Sequence, residues 1–235
     1  MWMMKNKTRC VIITAMHDAD IDNPIATSVE VSETDYIVCA DGGYDYAVKE
    51  NIIPDIVIGD FDSTSISEVE AKNIEYLKHG EEKDDTDTML CVKHAISKGF
   101  EHIVIIGGIG GSFGHTMANV QSLSYLTDME CDCSILTPKE ILRMLDGETI
   151  KITPGLISAQ NPPAELIITG QKGQKFSILS YAERTTGVCI ENAKYLLDNA
   201  VLTQSFPLGS RNEFINNNPV TLGIEFGRLL IVVEK

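Results

Sequence analysis

The sequence predicts an α/β plus all-β protein: an N-terminal doubly wound, mostly parallel α/β domain over residues 1–140, then a C-terminal β-sandwich domain over residues 141–235. Three observations carry this. The 235 residues fall between one and two domains at roughly 150 residues each. The first half alternates short, nearly continuous apolar runs with helical stretches, the pattern of parallel strands covered on both faces. Beyond Asp146-Gly147 the texture changes to β-rich runs separated by Gly, Pro and Asn at intervals of about ten residues, the spacing of a sandwich or barrel.

In order, the strands of the first half are RCVIIT (9–14), DYIVCAD (35–41), DIVIGD (55–60), HIVIIGG (102–108) and CSILT (133–137). The helices are Gly43 to Asn51, Ser65 to Lys72, Asp85 to Lys98 and His115 to Leu126. The third is the clearest, with Asp84 as N-cap, apolar residues at Met89, Leu90, Val92 and Ile96, and Gly99 just past its end. The second half offers KITPG, ELIITG, KFSILSY, TGVCIEN, AVLTQS, NPVTLGIEF and RLLIVVEK as strands. Repeats, low-complexity tracts and long linkers are absent.

Composition excludes several classes. With 19 basic and 34 acidic residues the net charge is −15, which argues against a nucleic-acid partner, since a duplex needs clustered Lys and Arg. No apolar run approaches the roughly 20 residues of a membrane helix, so no membrane association is expected. Cys131-Asp132-Cys133 is the one close cysteine pair and lacks the CxxC spacing of a zinc site. The start, MWMMKNKTRC, has no signal-peptide pattern, so the expected location is cytoplasmic.

The chemistry gathers at strand ends. Asp60 and Asp62 follow the third strand; if the chain stays extended there, residues two apart project together. Paired carboxylates repel unless a cation joins them, and Mg²⁺ takes such oxygen ligands while sharing substrate phosphates. The plainer alternative is that they cap a turn and the next helix. Asp41, in C-A-D-G-G, is either a site acid or an ordinary turn residue. In Lys83-Asp84-Asp85-Thr86-Asp87, one acid satisfies a helix N-terminus and three acids in four residues exceed that need, which points to a metal or substrate role for Asp84 or Asp87. After the fourth strand, Gly107-Gly108-Ile109-Gly110-Gly111 runs into a helix, so backbone N–H groups can approach a phosphate. It is neither a Walker A motif nor a clean dinucleotide fingerprint. His115, at the start of that helix, either contacts substrate or caps the helix.

Taken together, these segments resemble the thiamine pyrophosphokinase family. The matching pieces are A-D-G-G (40–43), P-D-I-V-I-G-D-F-D-S (54–63), K-D-D-T-D (83–87), G-G-I-G-G-x-x-x-H-x-x-A-N (107–119), K-F-S-I-L (175–179), T-G-V (186–188), A-K-Y-L-L-D-N (193–199) and G-S-x-N-E-F (209–214). They occur in the family's order and cover nearly the whole chain. The resemblance implies diphosphate transfer from ATP to the hydroxyl of thiamine, giving thiamine diphosphate and AMP, with Mg²⁺ as cofactor. It implies a homodimer with active sites formed between subunits. It assigns Asp60, Asp62 and Asp87 to metal and catalysis. Asp41, Asp84, Gly108, Gly110, Gly111, Ser112 and His115 fall to ATP and its phosphates, and Ser210, Arg211 and Asn212 to thiamine.

The chain also departs from the family pattern. Where the glycine loop usually continues Arg-x-Asp-His, here it reads Ser112-Phe113-Gly114-His115. A bidentate guanidinium contact is thereby lost, and Gly114 has no side chain to bind or deprotonate substrate. Arg211 stands where the usual pair is Ser-Asn and restores a positive charge. Trp2 is terminal, so an aromatic stacked on thiamine must be Phe or Tyr. Two other readings stand beside the enzyme: a divergent relative that binds thiamine or a nucleotide without turnover, and a Mg²⁺-dependent kinase or hydrolase of another substrate.

Overall fold

A computed structural model describes residues 7–15, 21–62, 64–80, 84–147, 151–153, 156–158 and 164–235. Trp2, Ser63 and Lys83 lie outside them. The chain divides into two compact units, Met1–Lys139 and Glu140–Lys235.

The first unit runs Arg9–Ile13 (β1), Pro24–Ser28 (α1), Asp35–Ala40 (β2), Gly43–Lys49 (α2), Ile56–Gly59 (β3), Ile66–Ala71 (α3), Glu75–Lys78 (β4), Asp87–Ser97 (α4), His102–Ile106 (β5), Phe113–Asp128 (α5) and Asp132–Leu136 (β6). Its strands lie in the order β6-β5-β1-β2-β3-β4, all parallel. From β1 the chain winds outward to β4 and then returns to β5 on the other side of β1. The junction of β1 and β5 is therefore the topological switch point, where open α/β sheets bind ligands beyond the carboxyl ends of the strands.

The apolar runs form strands because both faces are covered. Val11, Ile13, Ile37, Cys39, Val57, Val104 and Ile106 pack with Tyr44 and Ala47 of α2 and Val69 of α3. The alternate residues, among them Ile12, Val38, Ile58 and Ile105, are buried as well, on the opposite face by the period of two. There α4 packs on β1, β2 and β3, and α5 on β6 and α4. Each such side chain contributes about 1.5–3 kcal/mol when fully buried.

Two elements of the first unit escape the sequence reading. β4 is an exposed, charged edge strand with no apolar run to announce it. α1 is a short helix whose first N–H groups, of Ile25 and Ala26, donate to the Glu50 carboxylate at 2.8 and 2.8 Å, a cap that is distant in sequence.

The second unit contains Glu140–Asp146 (β7), Lys151–Thr153 (β8), Leu156–Ser158 (β9), Ala164–Ile168 (β10), Lys175–Ser180 (β11), Arg184–Glu191 (β12), Leu197–Thr203 (β13), Asn212–Glu213 (β14), Val220–Ile224 (β15) and Arg228–Glu234 (β16). β14-β11-β16-β7 and β10-β15-β12-β13 are antiparallel, and β8 pairs with β9. One core joins the two four-stranded arrays. Phe176, Ile178, Leu229 and Ile231 come from the first, and Val188, Ile190, Leu202 and Leu222 from the second. β7 is a strand although Ile141, Leu142, Met144 and Leu145 recur at helical spacing. Its pairing with β16 along its whole length decides the matter.

At the amino edge of the first sheet, Arg9 grips Asp35 through Nε at 2.8 Å and Nη2 at 2.6 Å, and Ser32 N–H adds a bond of 2.8 Å. Burial raises the Asp35 carboxyl, but these donors outweigh it and hold it below its usual range. A depressed carboxyl contributes stability that is present above its unfolded pKa and is lost as pH falls through the folded one. Arg9→Leu leaves that carboxylate, 2% exposed, without its cation. The expected loss is about 3 kcal/mol at neutral pH, narrowing as pH falls and the Asp35 carboxyl protonates. Melting curves between neutral and acid pH check both, and a loss that does not narrow refutes the assignment.

Candidate active site

β2 ends at Ala40, and Asp41 turns the chain with φ +39°. Its N–H donates to Ile58 O at 2.9 Å, which ties it to β3, and its own carbonyl accepts from Tyr44 N at 3.0 Å as α2 begins. Asp41 is buried, and Gly59 makes room for it: a Cβ on Gly59 would come 2.8 Å from Asp41 Cβ.

Asp60 and Asp62 do not converge by strand alternation. β3 stops at Gly59, and Phe61 adopts φ +63° between the two acids. The resulting turn is closed by Asp62 N–H donating to Asp60 Oδ1 at 3.3 Å. A bulky residue in the left-handed region is strained and must be held by its surroundings. Phe61 packs on the core and lies edge-on to Tyr76 of β4, ring centroids 5.7 Å apart. The turn brings one carboxylate oxygen from each of Asp41, Asp60 and Asp62 within 4.8 Å of one another. Three hard oxygen donors this close, with neither nitrogen nor sulfur among them, suit a divalent cation of the Mg²⁺ or Ca²⁺ type.

A cleft of about 350 Å³ lies over the carboxyl ends of these strands. It is lined by Thr14 after β1, Asp41 after β2, Asp62 after β3, Asp87 at the start of α4, and His115 and Asn119 of α5. Asp87 shares this cleft but stands outside the tight carboxylate group, whose third member is Asp41. The N-cap of α4 is Thr86, whose Oγ1 accepts from Met89 N at 3.2 Å, and not Asp84 as the sequence suggested. A Thr three residues before a free N–H closes the first turn. Asp84 is thereby left exposed ahead of the helix and is not part of the cleft lining. Asp85 pairs with Lys93 at 2.6 Å.

The glycine loop follows β5. Gly107, Gly108, Gly110 and Gly111 have φ of 83°, 77°, 102° and 65°, a run that only glycine adopts at little cost. The N–H of Gly107 is bonded to Leu136 O, and that of Gly110 to Thr116 Oγ1 at 3.3 Å. The N–H groups of Gly108, Gly111 and Ser112 have no hydrogen-bond partner among the described residues. α5 begins with Ser112 as N-cap, whose hydroxyl makes no cap bond, so the 16-residue helix presents open donors at its start.

Ser210, Arg211 and Asn212 belong to the second unit. Ser210 is exposed, its hydroxyl bonded to Pro207 O at 3.0 Å. Arg211 has φ +55°, its N–H donating to Ser177 Oγ, with its side chain exposed. Asn212 is 2% exposed and its amide is bonded within the unit. Its Oδ1 accepts from Tyr195 N at 3.0 Å and Glu213 N at 2.8 Å, while Nδ2 donates to Tyr195 O at 2.7 Å. Asn212 thus fixes the backbone of Tyr195, a residue that stays 59% exposed.

Sequence reasoning missed Thr14 and Thr86, and quoted Asn119 without a role. The available signals were a polar residue ending an apolar strand, a Thr three before a helical N–H, and the i, i+4 spacing of His115 and Asn119.

Residues 28–135 match the family model described as thiamin pyrophosphokinase, catalytic domain. The chain is 29% identical over 116 residues to Thiamin pyrophosphokinase 1 of Caenorhabditis elegans, covering 46% of this chain and 47% of that protein, about half its length. It is 29% identical over 177 residues to thiamine pyrophosphokinase of Bacillus subtilis, covering 71% and 72%. In structure it is similar to the crystal structure of thiamine pyrophosphokinase from Bacillus subtilis, with TM-score 0.78, 22% identity and 97% and 99% of the two chains covered. It is also similar to that of yeast thiamin pyrophosphokinase, with TM-score 0.72, 16% identity and 98% and 87% covered. These structural likenesses establish the fold.

Without a cation, Asp41, Asp60 and Asp62 repel one another. Asp62→Asn is expected to raise the melting temperature of the chelator-treated protein by roughly 2–4 °C, for about 1 kcal/mol of relieved repulsion. It should also lose most of the stabilisation that added MgCl₂ confers on the wild type. Scanning calorimetry with and without the salt decides; a wild-type response in the variant removes these acids from any cation site.

Proposed function

We propose that the chain, whose residues 28–135 match the thiamin pyrophosphokinase catalytic-domain model, transfers diphosphate from ATP to the hydroxyl of thiamine, giving thiamine diphosphate and AMP. The observation that carries this reading is the carboxylate group of Asp41, Asp60 and Asp62, two of which, Asp41 and Asp62, line one cleft with His115 and Asn119 of the helix that follows the glycine loop. A phosphate-binding loop beside a cluster of hard oxygen donors suits a metal-complexed polyphosphate.

In this reading Asp41, Asp60 and Asp62 hold Mg²⁺, with Asp87 directed into the same cleft. Mg²⁺, when bound, neutralises charge on the polyphosphate and on the departing AMP. The open N–H groups of Gly108, Gly111 and Ser112, with the start of α5, cradle phosphate oxygens. The hydroxyl of thiamine attacks the β-phosphorus in line with the leaving AMP, and its proton passes to one of the cleft aspartates. Positioning and charge neutralisation supply most of the rate in such transfers. The acidic first unit suits a cationic thiazolium. In the same reading Ser210 and Arg211 contact substrate, and Asn212 acts by holding the Tyr195 backbone. A homodimer with sites formed between subunits belongs to the same reading and is open to sedimentation analysis. So does a cytoplasmic location, in keeping with six free cysteines. No helix among the described residues is long and apolar enough to cross a membrane.

Incubation with thiamine, ATP and Mg²⁺, resolved by chromatography, is expected to yield AMP and thiamine diphosphate in equal amounts. ADP or free pyrophosphate would instead indicate a kinase or hydrolase of another substrate. Tight thiamine binding without product would indicate a binding protein, with Ser112 and Gly114 as the cause. In the active protein, Asp62→Asn should lower kcat by several orders of magnitude with the fold intact. Arg211→Ala should raise the KM for ATP if this cation replaces the arginine missing at Ser112; an unchanged KM excludes that role.

A further inference from the structure

Four left-handed glycines within five residues make the loop after β5 the segment with the most conformational freedom to lose when a ligand fixes it. Two side chains of α5 already fix it. Asn119, only 5% exposed, donates from Nδ2 to the carbonyl oxygen of Gly108 at 2.9 Å. It also lies flat against that glycine, since a Cβ on Gly108 would sit 3.3 Å from Nδ2 and 3.5 Å from Asn119 Cβ. One turn earlier on the same face, Thr116 Oγ1 stands 3.3 Å from both the N and the O of Gly110, accepting from one and donating to the other. The peptide units on either side of Ile109 are therefore tied to one rigid helix of 16 residues.

We propose that Asn119 and Thr116 are positioning residues that clamp the glycine loop in its phosphate-binding form. The consequence is a division of labour among the loop amides. The Gly110 N–H faces Thr116 and belongs to the clamp, so the donors left for a polyphosphate are those of Gly108, Ile109, Gly111 and Ser112 and the first N–H groups of α5. By satisfying the Gly108 carbonyl from the helix side, Asn119 removes the alternative in which that peptide flips and its oxygen opposes the anion. A preset loop loses less freedom on binding, so the clamp acts on the affinity for the phosphate-bearing substrate. This rests on the diphosphotransferase reading only in naming that substrate as ATP.

The test uses the full chain and the variants Asn119→Ala, Thr116→Val and Thr116→Ser. Thr116→Val keeps the volume and loses the hydroxyl, and Thr116→Ser keeps the hydroxyl. Melting curves come first; should Asn119→Ala fail to fold, the half-buried Thr116 pair still decides. Hydrogen exchange of the ligand-free protein should speed up by roughly tenfold at the bonded loop amides, Gly107 and Gly110, in Asn119→Ala and Thr116→Val, and not elsewhere. The KM for MgATP should rise by about tenfold with kcat and the KM for thiamine within about threefold, the amount one lost hydrogen bond accounts for. Thr116→Ser should restore both readouts. Unchanged loop exchange and unchanged KM, or Thr116→Ser behaving as Thr116→Val, would overturn the clamp. If the wild type makes no thiamine diphosphate, the substrate reading fails alone, because exchange and calorimetric titration with Mg²⁺ and inorganic pyrophosphate still report on the loop.

Discussion

Like-charge repulsion among Asp41, Asp60 and Asp62 is the constraint around which the first unit is organised. Carboxylate oxygens within 4.8 Å of one another are unfavourable in any folded chain without a cation. What holds them is apolar burial elsewhere: β2 and β3 are buried along their whole lengths, Asp41 and Asp60 are the first residues beyond those strands, and Asp62 follows two residues later. Two backbone conformations of positive φ, at Asp41 and Phe61, turn the chain where the acids meet. Both sit where the surrounding packing over-determines them, the common place for backbone strain to persist.

The distribution of charge follows the same logic. The first unit carries 24 acidic and 10 basic residues, the second 10 and 9, so nearly all of the net charge of −15 belongs to the unit with the carboxylate cluster. Such a surface repels bare polyphosphate and attracts cations. An anion can therefore enter the cleft favourably only in company with a metal, or by meeting backbone donors. The glycine loop supplies such donors. They point at a fixed direction, carry no long side chain to order, and are reinforced by the helix that starts at Phe113.

The loop itself illustrates how one sequence feature serves two purposes. Glycines free the backbone to adopt a conformation closed to other residues, and the same freedom would leave it floppy. Asn119 and Thr116, three residues apart on α5, supply the missing rigidity from side chains rather than from backbone. In the second unit Asn212 does the equivalent for Tyr195, through three bonds to backbone atoms.

What the sequence by itself determined was whatever depends on local composition. The apolar runs gave parallel strands, the glycines gave a loop that must turn before a helix, and the β-rich texture of the second half gave antiparallel sheets. Asp60 and Asp62 were legible as a pair because they follow a strand end. Only the tertiary structure decided how they meet. The extended geometry expected at Phe61 gave way to a left-handed turn because its ring is drawn onto the core and Tyr76, contacts made far along the chain. It was also tertiary structure that made Asp41, rather than Asp87, the third acid of the tight group, and Thr86 rather than Asp84 the cap of α4. Distances between residues remote in sequence are set by packing against a common core, and no local spacing rule encodes them.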